Sequence, residues 1–116
     1  MRALFVVAAI GAGVGTGCSS ASATSNAPSA EVIFDSVCAR CHGADGSGGL
    51  RLPDGTSPRN FRDPVFQAER SDAQIRAAII DGKNGAMPGF GQGFGALVID
   101  GLVARIRSFD PRKANP

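Results

Sequence analysis

One motif, Cys38-Ala39-Arg40-Cys41-His42, restricts the fold of this 116-residue chain more than any other feature. On a helix the two thiols lie one turn apart and His42 follows directly. This spacing lets both thiols add to the vinyl groups of one haem while His42 binds the iron, the pattern of a c-type haem attachment site. A redox dithiol would leave His42 unexplained, and zinc needs four ligands where this region offers three. We therefore predict one covalent haem c, held through the thioethers of Cys38 and Cys41.

The second axial ligand is predicted by elimination. His42 is the only histidine, and Met87 is the only methionine apart from Met1. Met87 stands in the loop sequence GAMPGF, where no helix face needs an apolar side chain, so iron ligation explains it better than core filling. Lys83 is the second candidate. Sulfur opposite imidazole favours Fe(II) and raises the reduction potential.

The first residues indicate export. Residues 1–17 have a positive start and a short apolar run, typical of a signal peptide and too short for a membrane span. The small residues before Cys18 predict a lipoprotein-type cleavage and a lipid anchor on that cysteine; the alternative is cleavage after Ala23. Residues 18–29 are uncharged and predict a flexible tether. The protein is thus expected on the periplasmic side of a membrane, lipid-anchored, or otherwise soluble in the periplasm.

The folded domain is expected over residues 30–111, with a C-terminal tail at 112–116. Helix start and stop signals delimit three main helices and a short one: 30–42 capped by Ser29 and ended at Gly43, 63–69 begun by Asp63-Pro64, 71–82 with a capping box at Ser71, and 96–109. No segment alternates polar and apolar residues, so the fold is predicted to be all-α. The long connection over residues 43–70 is unusual in a small domain, and a flat apolar cofactor would give it a surface to pack on.

The sequence resembles the class I c-type cytochromes, of the small single-haem bacterial type. The resemblance covers residues 30–109 and rests on FDSVCARCHGADGSGG, PRNF, SDAQIRAAIIDGKNGAMPGFG and LVARIRS. It implies the cytochrome c fold, in which the first and last helices cross and the haem lies between the cysteine motif and the Met87 loop. Arg105 stands where the last helix usually carries an aromatic residue, and Phe109 or Phe94 is expected to compensate.

The resemblance also implies what surrounds the haem. The family uses a proline carbonyl to accept the second N–H of the proximal histidine, and Pro58 is the first choice here, with Pro53 as the alternative. Arg59 and Asn60 are expected near the haem propionates, although Arg59 is equally explained as a solvated loop residue. Three apolar residues are expected to wall the haem: Phe61, Phe90 and Leu102.

These features predict a one-electron carrier between exported redox proteins, with donor and acceptor unidentified, rather than an enzyme. The sequence contains no catalytic triad pattern, P-loop or nucleotide fingerprint. The near-neutral mature chain has no basic run for nucleic acid, and a monomer is expected. The alternative function is a haem peroxidase or diatomic-ligand sensor in which Met87 dissociates, for which the chain lacks a second histidine as acid–base group.

Overall fold

The computed structural model describes residues 28–114 together with three isolated glycines, Gly13, Gly15 and Gly17. The predicted signal peptide, the Cys18 anchor and most of the tether lie outside the described residues. Over residues 28–114 the chain forms helices and loops with no strand, apart from one isolated bridge between Lys83 and Met87. The prediction of an all-α fold is therefore confirmed. In the described part of the chain, every helix falls short of the length and apolarity that crossing a membrane requires.

The first helix, α1, covers residues 30–42 in three consecutive segments, Ala30–Ile33, Phe34–Cys38 and Ala39–His42. The Ser29 hydroxyl accepts from the backbone N–H three residues on, at 3.3 Å, and so caps the helix as predicted. Gly43 ends it with φ of 80°, a conformation that favours glycine. The haem-motif residues thus occupy the last turns of a capped helix.

The middle segment of α1 is π-helical, which the sequence did not predict. The Ser36 hydroxyl donates to the Val32 carbonyl at 2.6 Å, giving that carbonyl a side-chain partner where the helix widens. Single π-helical turns inside α-helices occur frequently at functional sites. Here the wide turn ends at Cys38, the first residue of the cysteine motif.

Two shorter helices follow the long loop: α2 spans Pro64–Glu69 and α3 spans Asp72–Asp81. The Asp63 carboxylate accepts from the N–H two residues on, at 2.9 Å, and proline takes the first helical position, where its missing N–H costs nothing. Ser71 and the glutamine three residues later form the predicted reciprocal capping box. Gly82 ends α3, also as predicted.

The last helix, α4, spans Ala96–Ser108 and crosses α1. At the crossing, a Cβ atom on Gly101 would lie 2.7 Å from the Cβ of Ala30. Only glycine therefore permits the two backbones to approach this closely. The buried face of α4 comprises Ile99, Leu102, Val103 and Ile106. After the helix, Pro111 begins a short 3₁₀ turn over Pro111–Lys113.

Arg105 takes the place of the aromatic residue expected near this crossing. Its guanidinium carbon lies 5.5 Å from the ring centroid of Phe34 and 4.6 Å from that of Phe109, within cation–π range of both. Phe109 in turn packs against Phe34, with centroids 5.1 Å apart, and fills the space beside Gly46. Phe109 is thus the residue that compensates, whereas Phe94 stacks on Phe90 instead.

The loop between α1 and α2 folds back onto the end of α1. The Gly48 N–H donates to the His42 carbonyl, and the Phe61 N–H donates to the Gly46 carbonyl, both at 2.7 Å. These two bonds place the end of the loop beside the last turn of α1. The loop has no regular structure, as predicted, but these two hydrogen bonds hold its ends beside α1.

Candidate functional site

An almost wholly apolar cleft lies between α1, α4 and the loop after α3. Its lining combines a histidine, a cysteine and a methionine with six hydrocarbon side chains: Phe34, Cys38, His42, Phe61, Ile79, Met87, Phe90, Leu102 and Ile106. The three residues predicted to wall the haem, Phe61, Phe90 and Leu102, all belong to this set. The cleft therefore brings together most of the residues that the sequence selected.

His42 lies in the last turn of α1, and only 8% of its surface is exposed. Its Nδ1 is 3.0 Å from the carbonyl oxygen of Arg59, so the tautomer with Nδ1–H donates to that oxygen and leaves Nε2 free. Burial lowers the pKa of the imidazole, against the smaller opposite effect of the Arg59 carbonyl. A neutral ring with a free Nε2 is the form that binds a metal.

The acceptor for His42 differs from the prediction. The carbonyl is that of Arg59, not of Pro58 or Pro53. The reason is the direction of successive carbonyls in this part of the loop. The Pro58 oxygen faces Gly48, where a Cβ atom would meet it at 2.9 Å, and the next carbonyl faces the histidine. The acceptor therefore lies in the predicted segment, one residue after Pro58.

The side chains of Arg59 and Asn60 make their contacts outside the cleft. The Arg59 guanidinium lies 5.8 Å from the ring centroid of Phe66, and the Asn60 Oδ1 accepts from the Arg62 backbone N–H at 2.8 Å. Both residues are exposed and neither lines the cleft. Their contact with haem propionates stays a prediction, and the contribution of Arg59 seen here is its backbone carbonyl.

The two cysteines of the motif differ in their surroundings. Cys38 is half-buried and lines the cleft, whereas Cys41, nearly one turn further on, is exposed. No disulfide joins the two sulfur atoms. Burial is the main cause that raises the pKa of the Cys38 thiol. Among the described residues no three histidine, cysteine or carboxylate side chains come together as a metal site.

Met87 reaches the cleft from a tight turn after α3. The Lys83 N–H donates to the Met87 carbonyl at 2.9 Å, and the Met87 N–H donates to the Lys83 carbonyl at 3.1 Å. Asn84 and Gly85 form the turn with φ of 50° and 69°. The half-buried Met87 side chain lines the same cleft as His42, while Lys83 is exposed and does not line it. This geometry favours Met87 over Lys83 as a ligand.

These residues fit a covalent haem. One helix end presents two thiols and a neutral imidazole, a thioether enters the same cleft from another segment, and hydrocarbon side chains form the walls. A large apolar cofactor requires walls of this kind. Cys38 and Cys41 would hold it, and His42 with Met87 would supply one nitrogen and one sulfur to its iron.

Comparison with known proteins decides the family. Residues 25–104 match the family model described as cytochrome c oxidase, cbb3-type, subunit III. The chain belongs to this family of c-type cytochromes. Since the chain has one Cys-x-x-Cys-His motif, this cytochrome carries one covalently bound haem c. The match supports a haem-based electron carrier.

Solved structures agree with this assignment. The cytochrome is similar to the KustC0563 c-type cytochrome, with 29% sequence identity and a TM-score of 0.64 over 72% of this chain and 99% of that one. It is also similar to a tyrosine-to-phenylalanine mutant of Kustc0563, with 30% identity and a TM-score of 0.62 over 72% of this chain and 100% of that one. The cytochrome c fold predicted from the sequence is thereby confirmed.

Gln67, a buried polar residue beside the cleft of this cytochrome, was not selected in the sequence analysis. Gln67, in α2, is only 6% exposed and hydrogen-bonds to the backbone of both Phe61 and Ile106, two residues that line the cleft. A glutamine in a short helix usually faces solvent. No local signal distinguishes it, because one partner lies in the irregular loop before α2 and the other lies in α4, far along the sequence.

Proposed function

We propose that the protein is a one-electron carrier whose haem is attached through Cys38 and Cys41 and ligated by His42 and Met87. The observation that carries the proposal is that His42 and Met87, the only histidine and the only internal methionine, line one apolar cleft. When bound, haem c supplies a one-electron iron couple. The attachment balances without a leaving group, because each S–H adds across one vinyl double bond.

The protein's own residues prepare this site in two ways. The Arg59 carbonyl accepts from Nδ1 of His42, which selects the tautomer with Nε2 free and makes the ring a stronger donor. The hydrocarbon walls exclude water, which disfavours the oxidised, more highly charged state of the site. Two fixed protein ligands on one iron also keep structural change between oxidation states small, as a carrier requires.

The alternative function, a peroxidase or a sensor of diatomic ligands, would require Met87 to leave the iron. Peroxide cleavage also calls for a distal acid–base group, and the only histidine is directed toward the Arg59 carbonyl. No charged side chain lines the cleft on the Met87 side among the described residues. These observations favour the carrier.

We propose further that the carrier works outside the cytoplasm as a monomer, exchanging electrons with exported redox proteins. A lipid on Cys18 would anchor it to a membrane on the periplasmic side. The support is the sequence pattern of residues 1–29 together with the covalent cofactor, which an exported protein cannot lose by dissociation.

The test compares Met87→Ala with the control Lys83→Ala, which removes the rival ligand. Met87→Ala should retain haem with a two-thioether pyridine haemochrome spectrum, bind carbon monoxide readily when reduced, and lose potential by about 0.1 V or more, part of the roughly 0.8 V that axial ligands span. Lys83→Ala should match the wild type. If Lys83→Ala showed these changes and Met87→Ala did not, the proposed ligand set would be wrong. Tight carbon monoxide binding by the untreated wild type would favour the sensor function.

A further inference from the structure

Gln67 links α2, the loop and α4 through hydrogen bonds that use all of its side-chain donors. Its Nε2 donates to the Phe61 carbonyl at 2.7 Å and to the Ile106 carbonyl at 2.9 Å. Its Oε1 accepts from Nη1 of Arg107 at 3.0 Å. A buried amide with both N–H groups and its oxygen satisfied is held in a single orientation.

Arg107 holds this amide in place from α4. Its side chain is only 16% exposed. It donates to the Gln67 carbonyl at 2.9 Å, to the Asp72 carboxylate at 2.7 Å and to the Arg70 carbonyl. The guanidinium thus binds the end of α2, the start of α3 and the Gln67 side chain together. Rigid planar donors of this kind lose little entropy per hydrogen bond.

The hydrogen bonds of Gln67 hold the backbone of Phe61 in place. Its N–H donates to the Gly46 carbonyl at 2.7 Å and its carbonyl accepts from Gln67, so both polar groups of its backbone are fixed. Its ring stacks on the imidazole of His42, with centroids 4.4 Å apart and planes 17° apart. Its ring centroid also lies 5.6 Å from that of Phe66 and 6.3 Å from those of Phe34 and Phe109.

We propose that Gln67 is a positioning residue for the haem ligand His42, acting through Phe61. The Arg59 carbonyl fixes the tautomer of the imidazole, but one hydrogen bond, which tolerates angles well below linear, still permits some rotation of the ring about its Cβ–Cγ bond. A nearly parallel ring at 4.4 Å prevents that rotation. Gln67 keeps the Phe61 ring at that place. This inference rests on the proposed role of His42 as an axial ligand.

The orientation of an imidazole plane determines how the iron d orbitals split, and therefore the g-values of the oxidised protein and the spread of its haem methyl NMR shifts. A residue that only contributes to folding stability would leave both unchanged. These two spectra are accordingly the readouts that distinguish positioning from packing.

The experiment compares the haem-loaded wild type with four haem-loaded variants. Gln67→Met keeps the length of the side chain but removes both donors, Phe61→Leu removes the stacked ring, the double variant combines them, and Ile99→Val is the matched control, a buried change outside the cleft lining. We expect Gln67→Met and Phe61→Leu to shift the largest g-value and the methyl spread, with no further shift from Gln67→Met in the double variant. Ile99→Val should lose stability without either shift.

The proposal is overturned if Gln67→Met loses stability and keeps the wild-type g-values and methyl shifts. Should Gln67→Met fail to fold, Gln67→Glu serves the same purpose, because it retains a partner for Arg107 and lacks the donors to Phe61 and Ile106. Failure of the proposed function can be told apart from failure of the positioning role. If the proposed ligands are wrong, the wild-type spectra themselves will lack a histidine–methionine signature. Wild-type spectra with that signature, unchanged in both Gln67 variants, would overturn the positioning role alone.

Discussion

The close crossing of α1 and α4 allows a quantitative prediction for Gly101→Ala. The new methyl group would lie 2.7 Å from the Cβ of Ala30, about 1 Å inside an ordinary contact of roughly 3.5–4.0 Å between carbon atoms. Because the Ala30 Cβ is bonded directly to backbone, the helices themselves must separate. Overpacking of this kind costs about 1–3 kcal/mol. The better helix propensity of alanine offsets about 1 kcal/mol of that cost.

A double-mutant cycle separates these two contributions. In the Ala30→Gly background the methyl group has no Cβ to meet, so Gly101→Ala should stabilise that protein by about 1 kcal/mol while destabilising the wild type by up to about 2 kcal/mol. The coupling energy should therefore be about 1–3 kcal/mol. Chemical denaturation of the four haem-loaded proteins measures it. A coupling below about 0.5 kcal/mol, the level at which independent sites add, would refute the close crossing.

Two further predictions concern acid stability and location. Hydrogen bonds from Arg112 hold the pKa of Asp110 at about 2. The pKa of Asp110 in the folded protein is below its unfolded value of about 3.9, so the ionised carboxylate stabilises the fold above that pH. This stabilisation is lost as the pH falls toward 2. Asp110→Asn should thus lose less stability than the wild type between about pH 4 and pH 2 in denaturant titrations, and equal losses would contradict this. Cys18→Ser should release the protein from the membrane fraction, whereas a soluble wild type would favour cleavage after Ala23.

The helices were predictable because their signals are local. Ser29, Asp63 and Ser71 each accept a hydrogen bond from one backbone N–H, two or three residues further on. Glycine at 43 and 82 ends a helix in a conformation that other residues avoid. Such interactions depend on a few neighbouring residues. The cysteine motif is local in the same sense, since one helical turn determines its geometry.

What the sequence could not reveal depends on contacts between distant segments. Pro58 and Arg59 present neighbouring carbonyls, and only the path of the loop beside Gly48 decides which one faces His42. Gln67 is buried because the last turn of α4 covers it. Arg105 could replace an aromatic residue because two phenylalanine rings stand beside its guanidinium.

The most direct test of the central claim uses the single internal methionine. Because Met87 is the only methionine beyond Met1, ¹³C-labelled methionine methyl groups give at most two signals, and the signal that Met87→Ala removes belongs to Met87. In the reduced, diamagnetic protein, a methyl group bound through sulfur to haem iron lies over the ring and its proton signal moves far upfield. We expect that upfield signal in the wild type and in Lys83→Ala. A Met87 methyl signal at the ordinary position of a free methionine would contradict the ligation of haem by His42 and Met87.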